Sequence, residues 1–169
     1  MDRCVVHSST FAQNNYAMIC GLLTLEILAE ENLLQKATDM GAILAARLSA
    51  LKDKHEWIKD VRHKGLMFGI ELGRPDSLKK KMTWDTVHKI DKGLFAELIV
   101  MPLLSRHRIL TQVSGHHQDI VKLLPPLILT ETHINHFVES LDSVLEDCGK
   151  LSGPLFKMAT NLARHVVSK

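Results

Sequence analysis

The sequence predicts a mixed α/β domain built around a small, largely antiparallel sheet packed with helices. Two patterns point to this. Apolar residues recur every three or four positions through Leu34, Ala37, Gly41, Leu44, Leu48 and Leu51, and then every second position through Leu66, Phe68, Ile70 and Leu72. The chain therefore changes from helical to extended periodicity after the polar cluster Lys52-Asp53-Lys54-His55. The segments follow one another as helix, helix, strand, strand, helix, strand, strand, helix, helix, which suits a mixed domain. With 169 residues, 46% of them apolar, one full core is within reach.

Each element has its own signal. Residues 17–29 are apolar almost all round, as in a helix buried on most sides, with Asn14 or Asn15 as its cap. The Leu34–Leu51 periodicity predicts a half-exposed second helix. Ile58–Arg62 is the expected hairpin partner of residues 66–72, joined by His63-Lys64-Gly65, where Gly65 supplies the positive φ of a tight turn. Gly73–Met82 is polar, contains Lys79-Lys80-Lys81, and reads as a solvated loop. One helix is expected from Thr83, burying Val87, Ile90, Leu94, Leu98 and Met101 and stopped by Pro102. Two short strands follow, around Ile109–Val113 and Ile120–Leu124, the second ended by Pro125-Pro126. The clearest amphipathic helix is capped by Thr130, buries Ile134, Phe137, Val138, Leu141, Val144 and Leu145, and ends near Gly149; a last helix is expected from Pro154.

Composition excludes several functions. Twenty-one basic against nineteen acidic residues leave a net charge of +2, which disfavours nucleic-acid binding. The stretch 17–29 is too short and interrupted to cross a bilayer, and the opening residues, lacking an apolar core and a small-residue cleavage site, lead one to expect no secretory signal. Three cysteines without a CxxC pair suit a reducing compartment, so a cytoplasmic location is expected. His133 and His136 lie three apart and His116-His117 are adjacent, but no Cys or carboxylate joins them at ligand spacing. They read as solvated or locally bonded histidines, and no metal is expected. GxSxG, HExxH, P-loop and GxGxxG patterns do not occur.

One segment carries chemistry. Ser8 to Asn15 packs hydroxyls and amides before a helix, where it serves either as an N-cap cluster or as a phosphate cradle. The string His7-Ser8-Ser9-Thr10-Phe11 with Asn14 resembles the cofactor-phosphate motif of class III pyridoxal-phosphate-dependent aminotransferases, the group of ornithine, acetylornithine and 4-aminobutyrate transaminases. Leu25–Asn32 followed by the Gly41 helix, Val61–Leu72, and Leu123-Leu124-Pro125-Pro126-Leu127-Ile128 agree in order and spacing. The resemblance covers residues 7 to about 148 and concerns only the C-terminal portion of that family.

It implies a fold-type I transferase in which residues 1–52 are the tail of the large cofactor domain and 53–148 the small C-terminal domain, with 149–169 a helical extension. Thr10 and Ser9 are the implied ligands of the pyridoxal 5'-phosphate phosphate group, reached across a homodimer interface. Lys122 stands at the substrate-carboxylate position, where many members carry arginine. It either grips a carboxylate or packs its stem at a sheet edge with the amine in water. The implied substrates are an amine or amino-acid donor and a 2-oxo acid. The Schiff-base lysine lies upstream of the Ser-Thr-Phe motif in the family, and the first lysine here is Lys36, so this chain alone is expected to be inactive. The alternative is a non-catalytic partner-binding or scaffolding module derived from the same fold.

Overall fold

The computed structural model describes Thr10 and residues 14–115 and 118–149. Its elements are α1 (Asn15–Glu30), α2 (Leu33–Lys54), β1 (Ile58–Lys64), β2 (Met67–Leu72), α3 (Leu78–Ile90), α4 (Leu94–His107), β3 (Gln112–Val113), β4 (Ile120–Leu123) and α5 (Glu131–Cys148). The strands form one sheet in the order β1-β2-β4-β3, antiparallel throughout, as the sequence leads one to expect. The expected helix from Pro154 lies outside the described residues.

The alternation in β2 and β4 makes the sheet two-sided. Phe68, Ile70 and Leu72 of β2 and Val121 and Leu123 of β4 are buried. Leu44, Leu48 and Leu51 of α2 and Ile134, Leu141, Val144 and Leu145 of α5 share their core. Each such leucine contributes roughly 1.5–3 kcal/mol of burial. The hairpin turn is Gly65-Leu66, one position later than expected, because β1 pairs out to Lys64. Gly65 has φ +53°, and its carbonyl carbon lies 2.8 Å from where a Cβ on Gly41 would stand. Helix and hairpin touch backbone to backbone at that point.

Several expectations need correction. Helix α1 is capped by Asn14, whose side chain accepts the Ala17 N–H at 3.0 Å, but it buries none of its residues. The all-round apolar helix is thus exposed along its length, with Leu28 alone among its residues half-buried. In α2 the buried leucine of the first turn is Leu33, and Leu34 is 73% exposed. Asn32, at φ +50°, turns the chain between the two helices in the left-handed region that asparagine tolerates.

The basic stretch is helical, since Lys79-Lys80-Lys81 belong to α3. The cause is remote in sequence. The Glu56 carboxylate accepts the N–H groups of Asp76 (3.0 Å) and Ser77 (2.9 Å) and pairs with Lys80 at 3.1 Å, so a side chain before β1 caps this helix. The bonds from Ser77 and Lys80 hold the Glu56 carboxyl below its ordinary range. The single helix expected over Thr83–Met101 is two helices, broken at Gly93 with φ +94°. Asp119 supports the break: its carboxylate accepts the Ala96 N–H at 3.3 Å and meets His88 Nε2 at 2.7 Å. The Asp119 carbonyl takes the Leu72 N–H at 2.7 Å, so the start of β4 is tied to α3, α4 and β2.

Pro102 does not stop α4. It is buried within the helix, which runs on to His107 and ends at Arg108, φ +58°. A non-glycine residue there costs about 1–2 kcal/mol. The helix α5 has the predicted register, with Phe137 and Val138 only partly buried. Lys54 and His55, at the end of α2, both contact Asp142 of α5, and Lys54 also meets Glu146 at 2.9 Å. In the last turn of α5 the Cys148 thiol is pushed up to about 12, by burial first and by the Asp147 carboxylate second.

Candidate functional site

Strand β4 places Lys122 as its sequence alternation requires. Val121 and Leu123 enter the core, while Lys122 and Ile120 are half-buried on the opposite face. The cross-strand neighbours of Lys122 are Gly69 on β2 and Gln112 on β3. Gly69 has no side chain to cover the lysine from that side. The Thr111 hydroxyl donates to the Lys122 carbonyl at 2.6 Å and pins the backbone. Lys122 makes no ion pair among the described residues. Among the described residues the ammonium is therefore a charge held on a strand without an ion-pair partner, which favours an anionic ligand.

Where β4 runs into Leu124-Pro125-Pro126, a groove of about 700 Å³ opens between the segment Arg108–Gln112 and the first turns of α5. Its walls are mostly apolar, with Leu110, Leu124, Ile128 and Phe137 among them, and Lys122, Arg108, His133 and His136 also line it. The volume is that of a small-molecule site. Both histidines have local partners: His133 Nδ1 accepts the Thr130 N–H at 3.3 Å, and His136 Nε2 lies 3.2 Å from the His107 carbonyl. His116 and His117 lie outside the described residues. Among the described residues no three potential ligands gather at metal-binding distance.

Of the two residues expected to hold a phosphate, Ser9 lies outside the described residues and Thr10 is exposed in a turn. A phosphate monoester fits what is present there. Among the described residues Asn14 satisfies only the Ala17 N–H, and the first-turn amides of Asn15 and Tyr16 have no acceptor within the helix. Thr10 and Lys122 do not share a cavity: the described lining of the groove begins at Leu44 and includes nothing from α1. Helix α1, with no buried residue, supplies no enclosed wall there.

Arg108 was missed by sequence reasoning. Its signal is a residue just past a helix end, where glycine is the usual choice. The expectation that α4 stops at Pro102 hid that signal.

Comparison with known proteins gives concordant results. The family model for "Aminotransferase class-III" matches residues 2–145. The mitochondrial alanine–glyoxylate aminotransferase 2 homolog 2 of Arabidopsis thaliana is 31% identical over 134 residues, 79% of this chain and 26% of that protein. The ethanolamine-phosphate phospho-lyase homolog 1 of Caenorhabditis elegans is 32% identical over 141 residues, 83% of this chain and 28% of that protein. A transaminase from the marine bacterium Virgibacillus superposes with a TM-score of 0.70 at 23% identity, over 90% of this chain and 33% of its own, a likeness of fold. The chain spans little more than a quarter of the length of these sequence relatives.

Proposed function

Because this chain belongs to the class-III aminotransferases, we propose that it serves as the C-terminal portion of a pyridoxal-phosphate-dependent transaminase, moving an amino group from an amine or amino-acid donor to a 2-oxo acid. The observation that carries this reading is Lys122, a cation set on β4 opposite Gly69 with no ion-pair partner among the described residues. Residues 1–52 then complete the cofactor domain, 53–148 form the small domain, and 149–169 extend it. Pyridoxal phosphate, when bound, supplies the electron sink that acidifies the donor's α-carbon. This chain holds the ends. Thr10, with Ser9, donates to the phosphate, and Lys122 holds the substrate carboxylate while apolar walls keep water from its chain.

Lysine offers a compact, hydrated charge without the planar fork of arginine, so the grip is a single charge-assisted contact and selectivity for α-carboxylates is relaxed. The test compares Lys122→Ala and Lys122→Arg in the holoenzyme with paired donors that differ only in an α-carboxylate. Lys122→Ala is expected to penalise the carboxylate donor alone. Equal effects on both donors, or none, overturn the assignment. Thr10→Ala is expected to weaken cofactor retention roughly tenfold or more, the equivalent of ~1.5–3 kcal/mol for a bond to a charged group. Release of phosphate from a phosphorylated amine, with no amino transfer, would instead assign a lyase.

A homodimer in the cytoplasm completes the reading. The exposed Tyr16, Leu22, Leu23 and Leu25 of α1 favour association, because large apolar patches seek cover. The 169 residues alone are then inactive and self-associating. A concentration-independent monomer in sedimentation would contradict this. So would a stoichiometric visible absorbance with pyridoxal phosphate that one lysine substitution abolishes.

A further inference from the structure

Two helices leave an outward side uncovered among the described residues. In α1 the half-buried Leu28 marks the side turned to α2, and at about 3.6 residues per turn the opposite side carries Ile19, Leu23, Glu26 and Glu30. In α3 the buried Trp84 and Val87 mark the inner side, and Leu78, Met82 and Lys89 lie opposite them. Ile19, Leu23, Leu78 and Met82 are each at least 50% exposed. The charges differ in sign. Residues 14–32 hold Glu26, Glu30 and Glu31 and no Lys, Arg or His, whereas Lys79, Lys81 and Lys89 edge the α3 face. None of Glu26, Glu30, Lys79 and Lys89 forms an ion pair among the described residues. The spacing agrees as well. Ile19, Leu23 and Glu30 fall at i, i+4 and i+11, and so do Leu78, Met82 and Lys89, so two such helices lying parallel meet apolar to apolar and acid to base in one register. Glu26 then falls near Asp85, whose charge the Arg74 guanidinium already takes up, with Nε at 2.7 Å. Lying parallel, two α1 faces oppose glutamates and two α3 faces oppose lysines, so each face suits the other better than itself.

We propose that α1 of one copy of this chain lies along α3 of a second copy, Ile19 and Leu23 against Leu78 and Met82 with Glu30 beside Lys89. The proposal goes beyond the transaminase reading and does not depend on it. The apolar positions supply the attraction, and the charges select the orientation and the partner face. The Glu56 cap and the Trp84 and Val87 anchors hold α3 in place, so its face is presented ready-made. The two surfaces are different, which makes the contact head-to-tail: each copy that uses its α1 still offers its α3, and assembly continues past the pair. Two helix faces of this length are smaller than a standard interface, so the contact is weak and concentration-dependent.

The test is sedimentation velocity of the 169-residue protein over a range of concentrations and salt. The mean mass is expected to keep rising past the dimer, and the contact to weaken roughly fivefold as salt rises tenfold from about 0.05 M. Two double substitutions separate the faces: Ile19→Gln with Leu23→Gln removes the apolar part of α1, and Leu78→Gln with Met82→Gln that of α3. Glutamine is a good helix former and all four positions are exposed, so Tm at low concentration should not change. Each variant alone is expected to stay monomeric. Their mixture should form a one-to-one dimer and go no further, because a single complete contact remains. Lys89→Glu should weaken association about fivefold, and Glu30→Lys added to the same chain should restore it. Association that stops at a dimer, ignores salt, or survives the α3 substitutions overturns the proposal, the last by showing α1 paired with another α1 or with residues 150–169. A monomer at every concentration, or a mixture of the two variants that stays monomeric, overturns it too. None of these outcomes touches the donor comparison at Lys122, on which the transaminase reading stands or falls.

Discussion

Helices α1 and α2 follow one another through a single turn at Asn32, and each carries a glycine in its interior, yet their surroundings are opposite. Helix α1 is the more apolar and buries nothing, whereas α2 carries Lys36, Asp39 and Arg47 and buries Leu33, Gly41, Leu44, Leu48 and Leu51. The difference lies in spacing. The α2 apolar residues fall on one stripe, which the β1–β2 hairpin and α5 cover, while those of α1 point everywhere and no element among the described residues covers them. Apolar content marks a helix that wants company; periodicity tells whether the company is in the same chain.

Truncation should separate the two helices most sharply. Leu48→Ala in α2 removes a fully buried side chain and is expected to cost about 2–5 kcal/mol in urea unfolding. Leu22→Ala in α1 is expected to stay within about 0.5 kcal/mol when unfolding is followed at protein concentrations too low for self-association. Comparable losses would mean that α1 is covered after all. The glycines should differ in sign. Gly41→Ala forces a Cβ into the Gly65 carbonyl and should cost ~1–3 kcal/mol despite the better helix former. Gly21→Ala meets nothing within 4 Å and should gain ~0.4–1 kcal/mol. A stabilising Gly41→Ala would show that α2 and the hairpin are free to part.

A smaller effect concerns the seam between α2 and α5. Burial works against the Asp142 charge, but the bonds from His55 and Lys54 outweigh it and hold the carboxyl below its ordinary range. The unfolded chain therefore binds the proton first as pH falls. The contribution of Asp142 is complete above the unfolded value of 3.8 and is lost as pH drops through the lower folded value. Asp142→Asn should cost roughly 1–3 kcal/mol at neutral pH, with the gap from the parent protein closing in acid. A gap independent of pH would remove the ion pairs from the explanation.

What the sequence made legible follows the same logic as the two helices. The period-two run Leu66–Leu72, the α5 stripe, the Gly65 turn and the alternation that sets Lys122 opposite Val121 and Leu123 are local patterns, and all appear in the structure. The α3 start was not legible, because its cap is Glu56, about twenty residues earlier. The α3–α4 break depends on Asp119, supplied from beyond the next helix. Exposure of α1 could not be read from its residues, since it depends on what lies opposite. Of the two cations among the described groove-lining residues, Lys122 was legible from its strand and Arg108 was not, because its position at a helix end emerges only once Pro102 proves to lie inside α4.

The buried thiol at the end of α5 turns the molecule into its own clock. Burial pushes the Cys148 thiol well above its ordinary range, so almost none of it is thiolate at neutral pH, and packing screens what there is. An alkylating reagent must therefore wait for the last turn of α5 to open, while exposed Cys20 on α1 is consumed at once. With Cys4 replaced by serine, the slow phase of labelling counts openings of that turn, so ligands or substitutions that tighten α5 lengthen it and those that loosen the helix shorten it.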